Sequence, residues 1–328
     1  MSRRRTASVV VGLGGTAFFL WLAVRKVDLR LLWGALARAH WAWLVPMAAI
    51  VFLDLIVRAE RWRVLLSRAA PAATARELFR LEAIGLAVNN VLFLRLGEFA
   101  RAALAARELG IPVLAALASV VVERALDVAA LLTIFVVAAG AAPGFVPPYV
   151  RTVSALVLAG AVAALAILAL AESALAEGGW IERLLRPWPK VHSLVEQLAL
   201  GAAVLRQPAA ALQAVLWSLL LWSVDAVLYW AGARALGLGA LMDYPRAVLT
   251  LSWAGASSAL PAAPGALGTF EAVVQDILVK FGATAAQAFA YALVCHVVMF
   301  LLVTVTGLVL LYRVGLSLAE LRGQVEKR

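Results

Sequence analysis

The chain has 328 residues, of which 64% are hydrophobic and only 15% charged. A soluble protein of ordinary composition carries about 45–50% apolar and about 25% charged residues, so a water-facing globular fold is excluded and lipid is the solvent for most of this surface. The 29 Lys+Arg against 19 Asp+Glu give a formal charge of +10, an excess that belongs to the flanks of membrane spans and gives no reason to expect a nucleic-acid partner. The single cysteine, Cys295, lies in an apolar run, which leaves no intramolecular disulfide framework.

Taken in chain order, Arg3, Arg4 and Arg5 precede an apolar stretch over residues 9–24. It is too long for a typical signal h-region and shows no small-residue cleavage pattern, so it reads as a retained first span. A second span covers 41–57, with Trp41 and Trp43 as interfacial anchors and Asp54 near its far end. The basic residues Arg58, Arg61, Arg63, Arg68, Arg76 and Arg80 then read as its cytoplasmic flank. Residues 77–107 do not read as an ordinary crossing. The apolar piece 83–94 is too short, holds the only two asparagines of the chain, Asn89 and Asn90, and runs into Arg95-Leu96-Gly97-Glu98, so a broken, re-entrant hairpin is expected.

Spans follow at 112–139 and 150–171, joined by a Pro/Gly-rich turn over 143–148. Residues 172–208 are polar enough to form a cytoplasmic surface segment, and the next span, 209–236, carries Asp225 in its middle. Residues 245–281 contain Pro261, Pro264, Gly265 and Gly268, which forbid a continuous helix and predict a second broken hairpin. The last span is 285–312. The expected fold is an all-α integral membrane protein with about six full transmembrane helices and two broken or re-entrant hairpins, in a single polytopic domain over 1–328. This arrangement sets 19 Lys/Arg on the cytoplasmic side, 8 outside and 2, Arg95 and Arg124, at membrane depth, which places both termini in the cytoplasm. Glu98 and Glu271 each follow a Gly-containing break and begin an apolar helix that ends at Gly110 or Gly282. Three full spans between the hairpins turn the second to the opposite face, the layout of inverted repeats whose half-helix ends form a substrate site near the midplane.

Ionisable groups at membrane depth cost about 2.5–3.5 kcal/mol each on insertion scales, so they face a partner or a wet cavity. Arg95, Glu98 and Arg101 recur every three residues beside Asn89 and Asn90. In such an alternating-sign stripe Arg holds a lipid phosphate and Glu an ammonium; the structural alternative is an ion-pair staple closing the hairpin. Glu123, Arg124 and Asp127 interrupt a long apolar span, and Glu123 and Asp127 share a face from which they can pin an arginine or relay a proton. Asp54 and Asp225 read as single acids close to an interface. Around Pro264, Gly265 and Gly268, free amides at a half-helix start make a phosphate cradle, with Glu271 suited to the dipole there. No phosphate-binding P-loop, H-E-x-x-H, G-x-S-x-G or EF-hand pattern occurs, so no cofactor, metal or familiar hydrolase chemistry is expected. His40, His192 and His296 are too scattered for a metal site, and His296 reads as a hydrogen-bonded helix contact.

Four segments carry a resemblance: Arg58-Ala-Glu-Arg61-Trp62-Arg-Val-Leu65-Leu66; Asn89-Asn90 through Arg95, Gly97, Glu98 and Arg101; Glu123-Arg124-Ala-Leu-Asp127; and Pro261 through Pro264, Gly265, Gly268 and Phe270 to Glu271. In order and spacing the chain resembles the lysylphosphatidylglycerol synthase transmembrane-region family, also called the flippase-like domain family. Members usually carry Pro where Phe93 stands, so the first break is expected to rely on Gly97. The resemblance implies a module that moves phospholipids between leaflets, in the best-known cases aminoacylated phosphatidylglycerol, with membrane lipids as partners and a second copy or a separate lipid synthase as further ones. Larger members add a cytoplasmic aminoacyltransferase domain; with about 15 residues after the last span, this chain is expected to be a stand-alone member in the bacterial cytoplasmic membrane. Two alternatives stand beside transport: a membrane-embedded enzyme acting on a lipid phosphate with Glu98 and Glu271 as acid/base groups, and a non-transporting subunit of a lipid synthase.

Overall fold

The computed structural model describes residues 3–25, 27–92, 96–142, 144–175, 187–257 and 264–314. Among them stand twelve α-helices and no strand: α1 Arg3–Val24, α2 Leu29–Ala37, α3 Leu44–Leu65, α4 Ala75–Val91, α5 Gly97–Leu109, α6 Val113–Ala141, α7 Pro148–Leu175, α8 Pro189–Ala202, α9 Pro208–Ala235, α10 Tyr244–Ser257, α11 Thr269–Lys280 and α12 Ala285–Arg313. Short 3-10 turns precede α3 and α9, and a third, Pro264–Ala266, leads toward α11. The six long helices α1, α3, α6, α7, α9 and α12 stand where six spans were expected, and α4–α5 and α10–α11 are the two hairpins. By length and composition four of these helices can cross a bilayer: Trp41–Leu65, Pro148–Ile167, Pro208–Ala235 and Ala285–Arg313. Helix α6 is as long as α12, at 29 residues, but carries Glu123, Arg124 and Asp127.

Polarity runs inside out. Val45, Phe52, Leu53 and Ile56 of α3, Val137 of α6, Leu156 and Ile167 of α7, and Leu301 and Val305 of α12 are exposed, while Asp54, Arg58, Arg61, Glu82, Arg101 and Glu123 are buried. In water this arrangement forfeits both the hydrophobic effect and the hydration of charge; in lipid it gains on both counts. The core itself is rich in small residues, and Gly307 of α12 lies so close to the Ala83 carbonyl of α4 that no Cβ fits between them, the close approach by which helices associate without water to drive them.

The chain is built twice. Helices α2 to α6 and α8 to α12 repeat one sequence of elements: a short helix, a 3-10 turn, a long helix, a two-helix hairpin and another long helix. Helices α5 and α11 begin at 97 and 269, and α6 and α12 at 113 and 285, a common offset of 172. The packing repeats with the elements: α4 lies on α12 as α10 lies on α6, α2 lies on α12 as α8 lies on α6, and the counterparts α3 and α9 pack directly on each other. The outermost long helices break the pattern, since α1 packs on α11 and α7 on α6.

Two expectations need correction. Helix α3 runs on to Leu65 instead of ending at Val57, so Arg58 and Arg61 are inside the helix and buried, not part of a cytoplasmic flank. Arg101 is also interior, which removes three arginines from the 19 counted on the cytoplasmic side. In the polar segment 172–208, α8 packs on α6; residues 176–186, with Glu177, Glu182, Arg183 and Arg186, lie outside the described residues.

Candidate functional site

The buried stripe of α3 reads Met47, Val51, Asp54, Leu55, Arg58, Arg61, Trp62, Leu65, a helical period that turns apolar residues inward first and charges later. Arg61, fully buried, lies 3.1 Å from Glu123, forms an ion pair with Asp127 and reaches Ser218 on α9 at 3.3 Å. Glu123 also receives Arg101 Nη2 at 2.9 Å and pairs with Arg124, while Arg101 pairs with Glu82 of α4 and stacks over Trp62 with 4.6 Å to the ring centroid. Asp127 accepts from Trp222 Nε1 at 3.1 Å and faces Arg124 Nη2 at 3.0 Å. Five helices, α3, α4, α5, α6 and α9, are thus tied through one ionic network, in surroundings where each charge left alone would be costly.

In front of this network lies a partly open cavity of about 530 Å³. Its wall takes Asp54 and Arg58 from α3, Glu82, Asn89 and Asn90 from α4, Glu98 and Arg101 from α5, Arg124 from α6, Trp222, Asp225 and Tyr229 from α9, Gly265 from the turn before α11 and His296 from α12. Asn89 Oδ1 accepts the Gly97 amide at 2.7 Å and Asn90 Nδ2 donates to Thr304 Oγ1 at 3.0 Å, so the Asn pair orients the start of α5 and ties α4 to α12. Gly97 is required by contact: a Cβ there would overlap the Gly85 carbonyl. On the opposite wall His296 Nε2 donates to the Gly265 carbonyl at 2.8 Å, and Nδ1 lies 2.6 Å from Glu271 Oε1. Because a carbonyl only accepts, Nε2 carries a hydrogen, and one further proton is shared between Nδ1 and Glu271. Phe270 packs on the imidazole at 4.4 Å between centroids and Phe300 at 6.1 Å.

The sequence pattern of the Lysylphosphatidylglycerol synthase TM region matches residues 7–307. The chain belongs to that family. No curated protein and no solved structure gives a match. Membership, together with the apolar helices, makes this a multi-pass membrane protein with a lipid-related role.

Within this member of the lysylphosphatidylglycerol synthase transmembrane family, the residues singled out from sequence fall into three groups. Asn89, Asn90, Glu98, Arg101, Arg124 and Gly265 line the cavity. Glu123 and Asp127 do not; they stand behind the wall as counter-ions of Arg61, Arg101 and Arg124. Glu271 reaches the cavity only through His296, and its Oε2 takes the Gly268 amide at 2.7 Å, so that amide is not free to cradle a phosphate. Pro264 opens the 3-10 turn that carries Gly265, whose φ of +72° a side chain tolerates poorly. Arg95 and Phe93 lie outside the described residues. Arg101 is an ion-pair staple, not a free phosphate ligand. Glu98 and Glu271 are not equivalent: Glu98 lies on the wall with no hydrogen-bond or ion-pair partner among the described residues, while Glu271 is held twice. Sequence reasoning missed Arg58, Glu82, Trp222 and His296 as wall residues and took Asp54 and Asp225 as isolated acids; the i,i+4 pair Asp54–Arg58 inside an apolar window was the signal for the first of these.

Proposed function

We propose that this protein is a flippase for phospholipids or lipid-linked substrates, moving a polar headgroup between the leaflets of the bacterial cytoplasmic membrane without altering it covalently, with both termini in the cytoplasm. The observation that carries this reading is the charged cavity between two repeated halves of an otherwise apolar chain. Its volume of about 530 Å³ lies in the range of roughly 300–1,000 Å³ that suits small-molecule sites, enough for a headgroup while the acyl chains stay in the bilayer. Arg124, with 44% of its side chain exposed, is the cation open to a phosphate, and Glu98 the carboxylate open to an ammonium. Asn90 adds a neutral hydrogen-bonding group on the α4 wall. Rocking of one half against the other along the α3–α9 seam would expose this site to each side in turn.

Purified protein reconstituted into liposomes with headgroup-labelled anionic, zwitterionic and cationic phospholipids tests the reading. An impermeant quencher is expected to reach label from both leaflets only in protein-containing vesicles, and E98Q and R124Q are each expected to slow exchange about tenfold, equivalent to about 1.4 kcal/mol in the barrier. No exchange for any headgroup class overturns it. A covalently altered lipid instead favours the enzyme, and activity only beside an added synthase favours the subunit.

A further inference from the structure

One ionic group on the cavity wall is not used by a headgroup. On α3, Arg58 Nε donates to Asp54 Oδ2 at 2.8 Å, and across the seam Asp225 Oδ2 of α9 lies 3.5 Å from Arg58 Nη2. The two carboxyl groups also meet each other, and both face the cavity. Asp54 is only 7% exposed, and its Oδ1 is buried with no hydrogen-bond partner among the described residues. With both acids ionised, two carboxylates would share one guanidinium in a poorly solvated place, one oxygen bare of any donor, which is costly on both counts. A single proton on the pair removes both costs, because the O–H of one carboxyl donates to the other and one net negative charge remains for one cation.

The surrounding charges do not offer an alternative. On α3 and α6, Arg61 is taken by Glu123 and Asp127, and Arg124 by the same two acids. On α4 and α5, Arg101 is taken by Glu82 and Glu123, leaving Glu98 as a further acid. On α12, His296 is committed to Glu271, and on α10 the described charge, Arg246, is held at the helix start by Leu241 and Asp243. Around the network five acids, Asp54, Glu82, Glu123, Asp127 and Asp225, meet four arginines, and the surplus acid falls where two share Arg58.

We propose that Asp54 and Asp225 hold one exchangeable proton between them and that its exchange with cavity water couples transport to a proton gradient. The coupling, though not the proton site, rests on the transport reading above. On release, the carboxyl O–H bond breaks, the electron pair stays on oxygen and the proton leaves on water; uptake reverses the step. Because the pair joins α3 to α9, the counterpart helices of the two halves, release sets two like charges against each other at the seam between them.

The site is tested first without transport. Infrared pH titration of the full-length protein in lipid nanodiscs is expected to show a protonated-carboxyl C=O band near neutral pH that bleaches as pH rises. D54N and D225N should each lose that component, and E98Q should keep it. D54E, which retains an acid and serves where an amide variant fails to fold, should keep the band at a shifted frequency. A spectrum unchanged by D54N, D225N and D54E overturns the site. In liposomes that exchange lipid, an imposed pH gradient should change the rate severalfold in wild type and not in D225N. Exchange indifferent to the gradient overturns coupling while leaving lipid transport intact, whereas a band without any exchange removes the transport reading and the coupling with it. A response to replacing sodium by choline would assign the pair to a metal cation and overturn the proton.

Discussion

Helices α4 and α5 form a hairpin closed by charge. Arg101 reaches back across it to Glu82 and onward to Glu123 of α6, and Asn89 fixes the first amide of α5. Its counterpart, α10 and α11, closes among apolar side chains such as Leu249, Leu251, Phe270 and Val274, and its polar contact is the neutralisable chain from Glu271 through His296 to Gly265. The two have similar helix lengths, 17 and 13 residues against 14 and 12. This difference points to a division of labour. Fixed ion pairs in lipid set one geometry and resist change, because separating them exposes charge, while a hairpin held by packing and one shared proton can shift at smaller cost. On this argument the first hairpin is expected to keep its shape as a wall of the cavity and the second to yield more readily.

The sharpest way to break this contrast is Arg101→Leu. It strands Glu82 and shortens the set of cations around Glu123, so a loss of about 3–5 kcal/mol is expected, read as a large drop in the midpoint of detergent or thermal unfolding. Adding E82Q should recover part of it. Next comes Gly97→Ala, whose methyl would meet the Gly85 carbonyl and the Asn89 side chain; overpacking at backbone costs about 1–3 kcal/mol, and hydrogen exchange should rise across 85–100 before it rises elsewhere. In the second hairpin His296→Gln keeps a donor for the Gly265 carbonyl but gives up the contact to Glu271. A cost of about 1.5 kcal/mol, the low end for a hydrogen bond to a charged group, is expected, with lipid exchange falling more than stability does. Equal losses of stability for R101L and H296Q would dissolve the distinction between the hairpins.

Much of the fold was legible because hydropathy and Gly/Pro punctuation act locally: the six long helices and both hairpins stand where 9–24, 41–57, 77–107 and the later segments put them. The short helices α2 and α8 were not read, since each owes its place to packing on a partner helix, α12 or α6. Arg58 and Arg61 were misplaced for a definite reason. The positive-inside rule counts any arginine after an apolar run as a flank, whereas their register with Met47, Val51 and Asp54 already put them on the inward stripe. Arg101 and Glu123 stood out as charges in apolar surroundings, but that they meet each other and Glu82 is a fact of tertiary packing. His296 read as a hydrogen-bonded helix contact, which it is, but its place on the cavity wall had no local signal, since its partners lie 25 and 31 residues away in sequence.

The smallest effect concerns how the two halves start their helices. Helix α4 begins with a reciprocal cap in which Glu77 Oε2 accepts from the Thr74 amide at 2.9 Å and the Glu77 amide donates to Thr74 Oγ1 at 3.3 Å. Helix α12 begins in the same way with Thr284 and Gln287, except that Gln287 has no proton to gain. The hydrogen bonds from Thr74 hold the Glu77 carboxyl below its ordinary value of 4.5. A carboxyl with a lowered folded value contributes stability that is complete above its unfolded value and is lost as pH falls through the folded one. Acidification below about pH 4.5 should therefore loosen the start of α4 and leave the start of α12 unchanged, which amide hydrogen exchange at 75–78 against 285–288 resolves. Thr74→Ala should reproduce the loosening at neutral pH at about 1 kcal/mol, and Glu77→Gln should make the α4 start as indifferent to acid as the α12 start. Parallel acid sensitivity at both starts would mean that the whole bundle, not this cap, is titrating.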